Sequence, residues 1–509
     1  MTCTRILALT AAVAFAHPVL AQDTGLSTSL FDNPDGAQTK ADFISAPAAM
    51  ETRFGTLNFD GGGFPTPETA QRIYDEMDLQ RATQAFMDFF PHISLYTIVR
   101  SQARDLGFET ASDIGVMADF MNTNQPYLTG NNSTIYAVAS IDLKEDGPTV
   151  VEIPPGMYGT ADDAAFRYLT DFGATGPDNG EGGKYLFLPP GYDGDVPGGY
   201  FVLPSNGYRI WAMMRGFGEV GTGEQALDWF SQRLKVYPLD APERTGRYIN
   251  ASAVGMNPLP PEDGSFFAML DQIIQHEPAS LFSAEQLGRL ATLGIEKGKP
   301  FAPDARMQGI FDKAAQQGTA MSRAILYASR DPDIHYWPDR KWEKMFVRNT
   351  EFIRDSGAAD IDARTLWHYQ AIVVSPNLLS TTPGVGTAYL TAFRDAENNV
   401  LMGDASYKLT VPANPPVKRF WAVTAYDPAT RGLLASDGAI TVGSQTDPVV
   451  NADGSVDLYF GQSAPEGFEQ NLITTNPDKG FFVVFRFYGP TEGYIEKTWV
   501  LNDFEKIGG

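Results

Sequence analysis

The sequence predicts a chain of the α+β class, mainly β, in which two antiparallel β-sandwich or jelly-roll-like domains are joined by a helical connector. Two stretches, residues 131–214 and 385–488, contain strand-length segments whose apolar residues alternate with polar ones. Between them, residues 264–330 carry apolar residues at helical spacing. The 49 Gly and 35 Pro residues are typical of strands joined by many turns, and 509 residues are too many for a single core.

The N-terminus has the features of a cleavable signal peptide. Arg5 precedes an apolar run over residues 6–16, which is too short to span a bilayer. Residues 19–21 then provide the small side chains that signal peptidase requires. We therefore expect residues 1–21 to be removed by cleavage after Ala21, and the mature protein to be periplasmic or secreted.

Composition narrows the classes of partner. The formal net charge of −24 opposes binding to nucleic acid and to anionic lipid, and no later stretch is long and apolar enough for a membrane span. The only cysteine, Cys3, lies in the expected signal, so the mature chain would have no disulfide and no thiolate site. A small-molecule ligand or substrate is the expected partner, and a homo-oligomer stays open.

The elements divide the chain in order. Residues 22–63, rich in Ser, Thr, Ala, Asp and Gly, are expected to form a flexible leader. The first domain, residues 64–250, opens with a helix that Thr66-Pro67-Glu68 begins, with Thr as N-cap and Pro at the first helical position. Residues 251–370 form the helical connector, and residues 371–509 form the second β domain.

Several motifs occur in an order that resembles one family. They are Asn-Ser-Thr-Ile-Tyr at 132–136, Lys-Gly-Lys-Pro-Phe at 297–301, Pro-Asp-Arg-Lys-Trp at 338–342, Phe-Trp-Ala-Val-Thr-Ala-Tyr-Asp at 420–427 and Arg-Phe-Tyr-Gly-Pro at 486–490. With the segments between them, they resemble bacterial proteins that pair domain of unknown function (DUF) 1254 with DUF 1214. The likeness covers residues 65 to 509 and implies two β-sandwich-like domains joined by helices. It implies no particular catalytic mechanism.

Common catalytic and cofactor motifs are weak or missing. Residues 216–221 match the Gly-x-Gly-x-x-Gly fingerprint, but the next helix begins after the third glycine and the surrounding sheet is predicted to be antiparallel. We therefore expect a tight turn and no nucleotide cofactor. Neither a Gly-x-Ser-x-Gly elbow nor a phosphate-binding loop occurs. The cofactor is unknown, and a divalent metal stays open, although no histidine has a neighbour at metal-ligand spacing.

Two segments beside the domain junction combine histidine, aromatic and charged residues. His335 and Asp333 lie in one segment with Arg340, and His368 and Tyr369 lie in the other. We predict that His335 or His368 acts as a base or metal ligand, that Asp333 orients it, and that Arg340, or Arg486 from the second domain, holds an anionic group. The alternative is that these residues only attach the connector to the sheets.

Two arginines are predicted to lie within strands among apolar neighbours. Arg486 shares a strand face with Phe482, Val484 and Tyr488, and Arg215 follows Met213 on its own strand face. A buried guanidinium needs a carboxylate or several carbonyl groups. The two arginines are therefore either members of structural ion pairs or anchors for an anionic ligand.

These observations leave two classes of function open. The first is an extracytoplasmic enzyme, a hydrolase or lyase, that acts on a small organic substrate in a cleft between the domains. The second is a non-catalytic ligand-binding or envelope interaction protein. Converging His, Arg, Asp and Tyr side chains in one pocket would favour the enzyme, whereas a shallow aromatic groove would favour the binding protein.

Overall fold

The computed structural model describes residues 48–216, 220–379 and 382–508, so the expected signal peptide lies outside the described residues. The chain divides into two compact units, residues 1–74 and 75–509. In the described part of the first unit, β1 (Ala49–Thr52), β2 (Gly55–Asp60) and β3 (Phe64–Pro65) form an antiparallel sheet in the order β1-β2-β3.

This small sheet occupies residues that we expected to belong to a flexible leader. The strands are short and polar, and Leu57 is the one apolar side chain among them that is buried, so the period-two pattern is hard to detect. Helix α1 (Pro67–Asp105) begins in the first unit, one residue after Thr66, where the helix was predicted to start, and continues into the second unit.

The second unit contains two β-sandwiches. The first is built from strands and two helices in this order: β4 (Ile114–Val116), β5 (Ile135–Asp142), α2 (Leu143–Asp146), β6 (Thr149–Ile153), β7 (Tyr158–Asp163), β8 (Tyr168–Phe172), β9 (Gly183–Leu188), β10 (Phe201–Pro204), β11 (Arg209–Gly216), α3 (Glu224–Arg233), β12 (Lys235–Pro238) and β13 (Tyr248–Asn250). A six-stranded sheet in the order β13-β4-β5-β11-β7-β8 packs on a four-stranded sheet in the order β10-β9-β6-β12.

Helices connect this sandwich to the second one. They are α4 (Ser265–His276), α5 (Ala284–Thr292), α6 (Ala305–Tyr327) and α7 (Ile361–Gln370). The short strand β14 (Glu343–Lys344) lies between α6 and α7 in sequence and pairs with the first long strand of the second sandwich.

The second sandwich follows the same plan. Its further elements are β15 (Thr387–Ala392), β16 (Ser406–Val411), β17 (Val417–Tyr426), β18 (Thr441–Gly443), β19 (Val456–Gly461), β20 (Leu472–Thr474), β21 (Phe482–Pro490), α8 (Glu492–Ile495) and β22 (Glu505–Gly508). A five-stranded sheet in the order β14-β15-β21-β17-β18 packs on a four-stranded sheet in the order β20-β19-β16-β22. Most strand pairs in both sandwiches are antiparallel, and the predicted α+β class is confirmed.

A third apolar layer lies outside the sandwiches. Because side chains alternate along a strand, the large sheets present a second apolar face away from each sandwich core. These faces pack with α1 and the connector helices in one cluster, which includes Val138 of β5, Phe86 of α1, Phe311 of α6 and Val484 of β21. In the described part of the chain, no helix combines the length and apolar character needed to cross a membrane.

Candidate ligand-binding site

The outer faces of the two large sheets meet at two arginines. Arg215 of β11 lies on the same outer face as Met213, and its Nη2 lies 3.4 Å from Oγ1 of Thr387 on β15. Arg486 of β21 pairs in register with Tyr389, also on β15. Strand β15 therefore brings the two predicted arginines to one place.

Arg486 is buried, with 2% of its surface exposed. Its Nη2 donates a hydrogen bond to the carbonyl oxygen of Thr129 at 2.8 Å and lies 3.5 Å from that of Gly130. The guanidinium carbon lies 5.8 Å and 5.5 Å from the ring centroids of Tyr389 and Tyr426. The Tyr426 hydroxyl donates to the Gly130 carbonyl, and Nε and Nη1 of Arg486 have no hydrogen-bond partner among the described residues.

This arrangement leaves a buried charge without a counter-charge. Burial tends to lower the pKa of Arg486, but the oxygens of Tyr426, Tyr488 and Tyr389 raise it above its usual value, so the guanidinium stays charged. The ion-pair hypothesis required a carboxylate partner, and in the described ranges no carboxylate forms a salt bridge with Arg486. Each unpartnered buried donor costs about 1–3 kcal/mol, so an anion at this position would be strongly stabilised.

Asn131 connects the two sandwiches beside Arg486. Its amide nitrogen donates to the hydroxyl oxygens of Tyr136 on β5, at 2.9 Å, and of Tyr488 on β21, at 2.7 Å. A tyrosine hydroxyl that accepts a hydrogen bond still has its own hydrogen to donate. Tyr136 can therefore act as a second donor toward an anion next to Arg486.

Two small cavities adjoin at this place. One, of about 60 Å³, is lined by Arg486, and the other, of about 70 Å³, is lined by Arg215 and Asp171. The residues that line both cavities are Tyr136, Met213, Val373, Leu378 and Tyr389. The space suits a ligand of a few heavy atoms, with polar groups at its two ends and an apolar middle.

Asp171 supplies an acid at the second end. It lies on β8 opposite Thr160 of β7, and its Oδ2 accepts hydrogen bonds from Oγ of Ser375, at 3.0 Å, and from Nδ2 of Asn377. Burial raises the pKa of Asp171 to about 6, although the hydroxyl and amide donors and Arg215 act in the opposite direction. A carboxyl with such a pKa can take up or release a proton near neutral pH.

A second buried acid lies behind it. Oδ2 of Asp162 accepts a hydrogen bond from the backbone nitrogen of Val374 at 3.1 Å, and its Oδ1 has no partner in the described part of the chain. Burial, with Asp163 and Asp171 nearby, raises the pKa of Asp162 well above its usual value. Asp162 thus favours its neutral form, and the hydrogen bond from Val374 fixes the segment next to the cavity.

The three residues predicted from the first junction segment lie outside the two cavities. His335 is exposed, and its backbone forms an antiparallel bridge with Glu343. Asp333 is exposed, with Oδ2 3.9 Å from Arg348 Nη1, and Arg340 Nη1 lies 3.9 Å from Oδ2 of Asp503. The proposed catalytic and anion-holding roles of these residues gain no support from this placement.

The two residues from the second segment are buried in the apolar layer. The ring of His368 lies between those of Phe166 and Phe352, with centroid distances of 5.6 Å and 5.4 Å. The Tyr369 hydroxyl donates to Oε1 of Glu262 at 2.9 Å. His368 thus has apolar surroundings whereas His335 is exposed, and neither histidine lines the cavities described here, so the expected convergence of the two is not found.

Two larger cavities lie elsewhere, and neither leaves a buried charge without a partner among the described residues. One of about 580 Å³, beside α6 and α7, is lined by Arg348, whose guanidinium lies 2.9 Å from carboxylate oxygens of both Asp331 and Asp360. Another, of about 590 Å³, has no charged side chain among its described lining residues. Buried unmet charge, rather than volume, therefore distinguishes the small cavity at Arg486 from these two.

Metal and nucleotide sites gain no support. No three His, Cys, Asp or Glu side chains of the described ranges cluster closely enough to hold a metal ion. Strand β11, which leads into the glycine-rich segment at 216–221, pairs antiparallel with both β5 and β7, unlike the parallel sheets that bind dinucleotides. Residues 217–219 of that segment lie outside the described residues, and the absence of a nucleotide cofactor stays a prediction.

Sequence reasoning missed Tyr136, Tyr389 and Asp171 as members of the site. Tyr136 and Tyr389 lie on strands that were recognised, and the period of two assigns each to the face opposite the sandwich core. Asp171 offered a different signal, because acidic residues are depleted in strand interiors. Which outer faces meet could not be obtained from either pattern.

Comparison with known proteins identifies two family domains. A model described as protein of unknown function (DUF1254) matches residues 113–238, and one described as protein of unknown function (DUF1214) matches residues 386–492, which confirms the resemblance seen in the motifs. No match is found among curated proteins.

Solved structures are similar in fold. The VPA0106 protein from Vibrio parahaemolyticus is 16% identical, with a TM-score of 0.51, and the match covers 84% of this chain and 100% of that chain. An uncharacterised protein from Burkholderia cenocepacia is 13% identical, with a TM-score of 0.39 over 86% of this chain and 97% of that chain. At 16% identity, the likeness to the Vibrio parahaemolyticus protein shows the fold alone.

Proposed function

We propose that this chain, which pairs a DUF1254 domain with a DUF1214 domain, binds a small organic anion, through a carboxylate group, in the cavities between the two sandwiches. One observation carries the proposal: Nε and Nη1 of Arg486 are buried beside a cavity and have no hydrogen-bond partner among the described residues. Arg215, on a strand of the other sandwich, lines the adjoining cavity.

The chemistry favours a carboxylate over a point anion. Three of the five N–H groups of Arg486 belong to the unpartnered nitrogens, and a planar guanidinium matches the two oxygens of a carboxylate. The Tyr136 hydroxyl adds a donor from the opposite sheet, and the aromatic and aliphatic residues between the cavities would contact the carbon chain.

Arg486→Met tests the proposal. Loss of the guanidinium should abolish binding of butyrate, measured by calorimetry. The melting temperature should stay within a few degrees of the wild type, because the charge removed has no ion-pair partner. Breaking a structural ion pair would instead cost about 3–5 kcal/mol.

Two further variants complete this experiment. Arg486→Lys keeps the positive charge but lacks the planar guanidinium that can donate two hydrogen bonds to a carboxylate. This variant should bind butyrate much more weakly than the wild type. Arg340→Met removes an arginine outside the cavities and should leave binding unchanged. The proposal would be contradicted if butyrate, propionate and benzoate all failed to bind the wild type. It would also be contradicted if they bound Arg486→Met as tightly as the wild type.

An enzyme in this cavity, a hydrolase or lyase, is the second candidate. Its support is Asp171, a carboxyl group in the same cavity with a pKa of about 6, suited to proton transfer on a bound acid. A non-catalytic binding protein would use the same anion site without turnover. The proposal includes an extracytoplasmic location, which rests on the sequence of the N-terminal segment alone.

A further inference from the structure

We infer that the cavity around Asp171 receives a hydrogen-bond donor of the same ligand, so that the ligand is a hydroxy acid or amino acid with its polar group at the end of the chain away from the carboxylate. This inference rests on the proposed function, since it presupposes a carboxylate at Arg486. It adds the chemical class of the ligand.

The hydrogen bonds of Asp171 point to an acceptor that is open toward the cavity. The donors from Ser375 and Asn377 both end on Oδ2, and the hydroxyl of Thr160 lies near the carboxyl group. An ionised carboxyl group has about four acceptor sites, two on each oxygen, so with these three hydroxyl and amide donors Oδ1 can accept a further hydrogen bond. Because Asp171 lines the cavity, a ligand hydroxyl or ammonium group can reach this oxygen.

The residues between the two ends define the middle of the ligand. Met213, Val373 and Leu378 line both cavities, and they offer only apolar surface. A polar group placed against these three side chains, away from the hydroxyls of Tyr136 and Tyr389 that also line both cavities, would lose its water without gaining a hydrogen bond. The ligand therefore carries a methylene chain between its two polar ends.

The position of Arg215 raises the alternative of a dicarboxylate ligand. It lines the same cavity as Asp171, and its charge would attract a second carboxylate if it dominated that end. However, Arg215 already contacts Thr387 and the ring of Tyr158, whose centroid lies 5.9 Å from the guanidinium carbon. A dicarboxylate would also approach the Asp171 carboxylate, so the hydroxy or amino acid is the better match.

Titration of Asp171 makes the inference measurable. Above a pH of about 6 the carboxyl group is ionised and can pair with a ligand ammonium group; below it the group is protonated and the pairing is lost. If only the ionised form binds the amino acid tightly, apparent affinity falls about tenfold per pH unit below 6. The unsubstituted acid should lack this dependence.

The experiment uses calorimetry on the full chain with a matched series of acids. Butyrate, 4-hydroxybutyrate, 4-aminobutyrate and succinate are titrated into the wild type and into Asp171→Asn. We expect the hydroxy and amino acids to bind the wild type about tenfold more tightly than butyrate, as a charge-assisted hydrogen bond allows. In Asp171→Asn, the ratios of 4-hydroxybutyrate and 4-aminobutyrate affinity to butyrate affinity should fall to about one.

Asp503→Asn is the matched control, because burial also raises the pKa of Asp503 but its carboxylate contacts Arg340 outside the cavity. It should bind all four acids as the wild type does. If Asp171→Asn does not fold, the ratio of 4-aminobutyrate to butyrate affinity in the wild type still decides, since it should rise as the pH passes through about 6.

The two proposals fail in different ways. The inference about Asp171 would be overturned if butyrate bound the wild type as tightly as 4-hydroxybutyrate and 4-aminobutyrate at every pH, or if succinate bound more tightly than these two acids. Either result would leave anion binding at Arg486 intact. No binding of any of the four acids would overturn both.

Discussion

His368 is a buried histidine whose environment keeps its ring neutral. Burial, together with the positive charge of Arg364 and the nearby His92, lowers its pKa to about 3. The unfolded chain would protonate the same ring near pH 6.5. As the pH falls below 6.5, the unfolded state gains a proton that the folded state does not, so His368 reduces stability progressively down to about pH 3.

His368→Phe should therefore make the protein more resistant to acid. Phenylalanine keeps the ring contacts with Phe166 and Phe352 and cannot titrate. Between pH 7 and pH 5, the neutral buried histidine lowers the free energy of unfolding of the wild type by roughly 2 kcal/mol. The variant should not show this part of the loss. Urea unfolding at both pH values measures the difference.

The control is His335→Phe, whose ring is exposed and whose replacement should change the acid dependence less. If His368→Phe and the wild type lose equal stability on acidification, His368 is protonated in the folded protein, and its predicted role as a base or ligand regains support.

The contrast between the arginines and the histidines explains what residue-level reasoning can predict. Arg486 and Arg215 were identified because alternation along one strand assigns a side chain to a face, which is a local property. Grouping His335 with His368 relied on similar chemistry in neighbouring segments, and sequence proximity does not bring side chains together. The Thr129 carbonyl that binds Arg486 is 357 residues away, beyond the reach of any local pattern.

At the scale of elements, α1 and α6 cross at a glycine. Gly318 of α6 faces the ring of Phe86 on α1, and a Cβ at this glycine would lie inside the contact distance of that ring. The ring is fixed in turn by Phe266, whose centroid is 4.4 Å away, so it has little room to move. The close approach of the two helices thus depends on the missing side chain.

Gly318→Ala should destabilise the protein by about 1–3 kcal/mol, because overpacking outweighs the gain in helix propensity. Gly309→Ala in the same helix is the matched control. Nothing lies within 4 Å of a Cβ at Gly309, and alanine there should stabilise the protein by about 1 kcal/mol. Chemical denaturation gives the change in the free energy of unfolding for each variant. Two changes of the same sign would contradict the packing argument.

Elements with a sustained period were predictable, and short polar ones were not. Strand β5 matches the alternation predicted over residues 131–214, and α3 begins three residues after Gly221, the third glycine of the motif after which a helix was predicted. Strands β1 and β2 were missed because composition outweighed a weak alternation. Strand β14, inside the predicted connector, pairs with the second sandwich over only two residues, which is too short for a pattern.

The whole molecule places its candidate site where two domains share one layer. The outer faces of both large sheets belong to the apolar cluster that also contains α1 and the connector helices. The sequence predicted two β domains and a connector. It could not predict that the large sheets meet through their outer faces, because these sheets carry apolar residues on both faces. That choice of face brings Arg215 and Arg486 together.

Export is the last prediction, and it concerns the whole chain. If residues 1–21 are a signal peptide, protein released by a native host begins at Gln22 and contains no cysteine, so thiol reductant should not change its melting temperature. Ala21→Leu should block processing, since the residue before the cleavage point must be small, whereas Leu20→Gln, at the tolerant neighbouring position, should be processed normally. N-terminal sequencing distinguishes these outcomes. Released protein that keeps Met1, or a marked loss of stability with reductant, would show that the segment is not a cleaved signal.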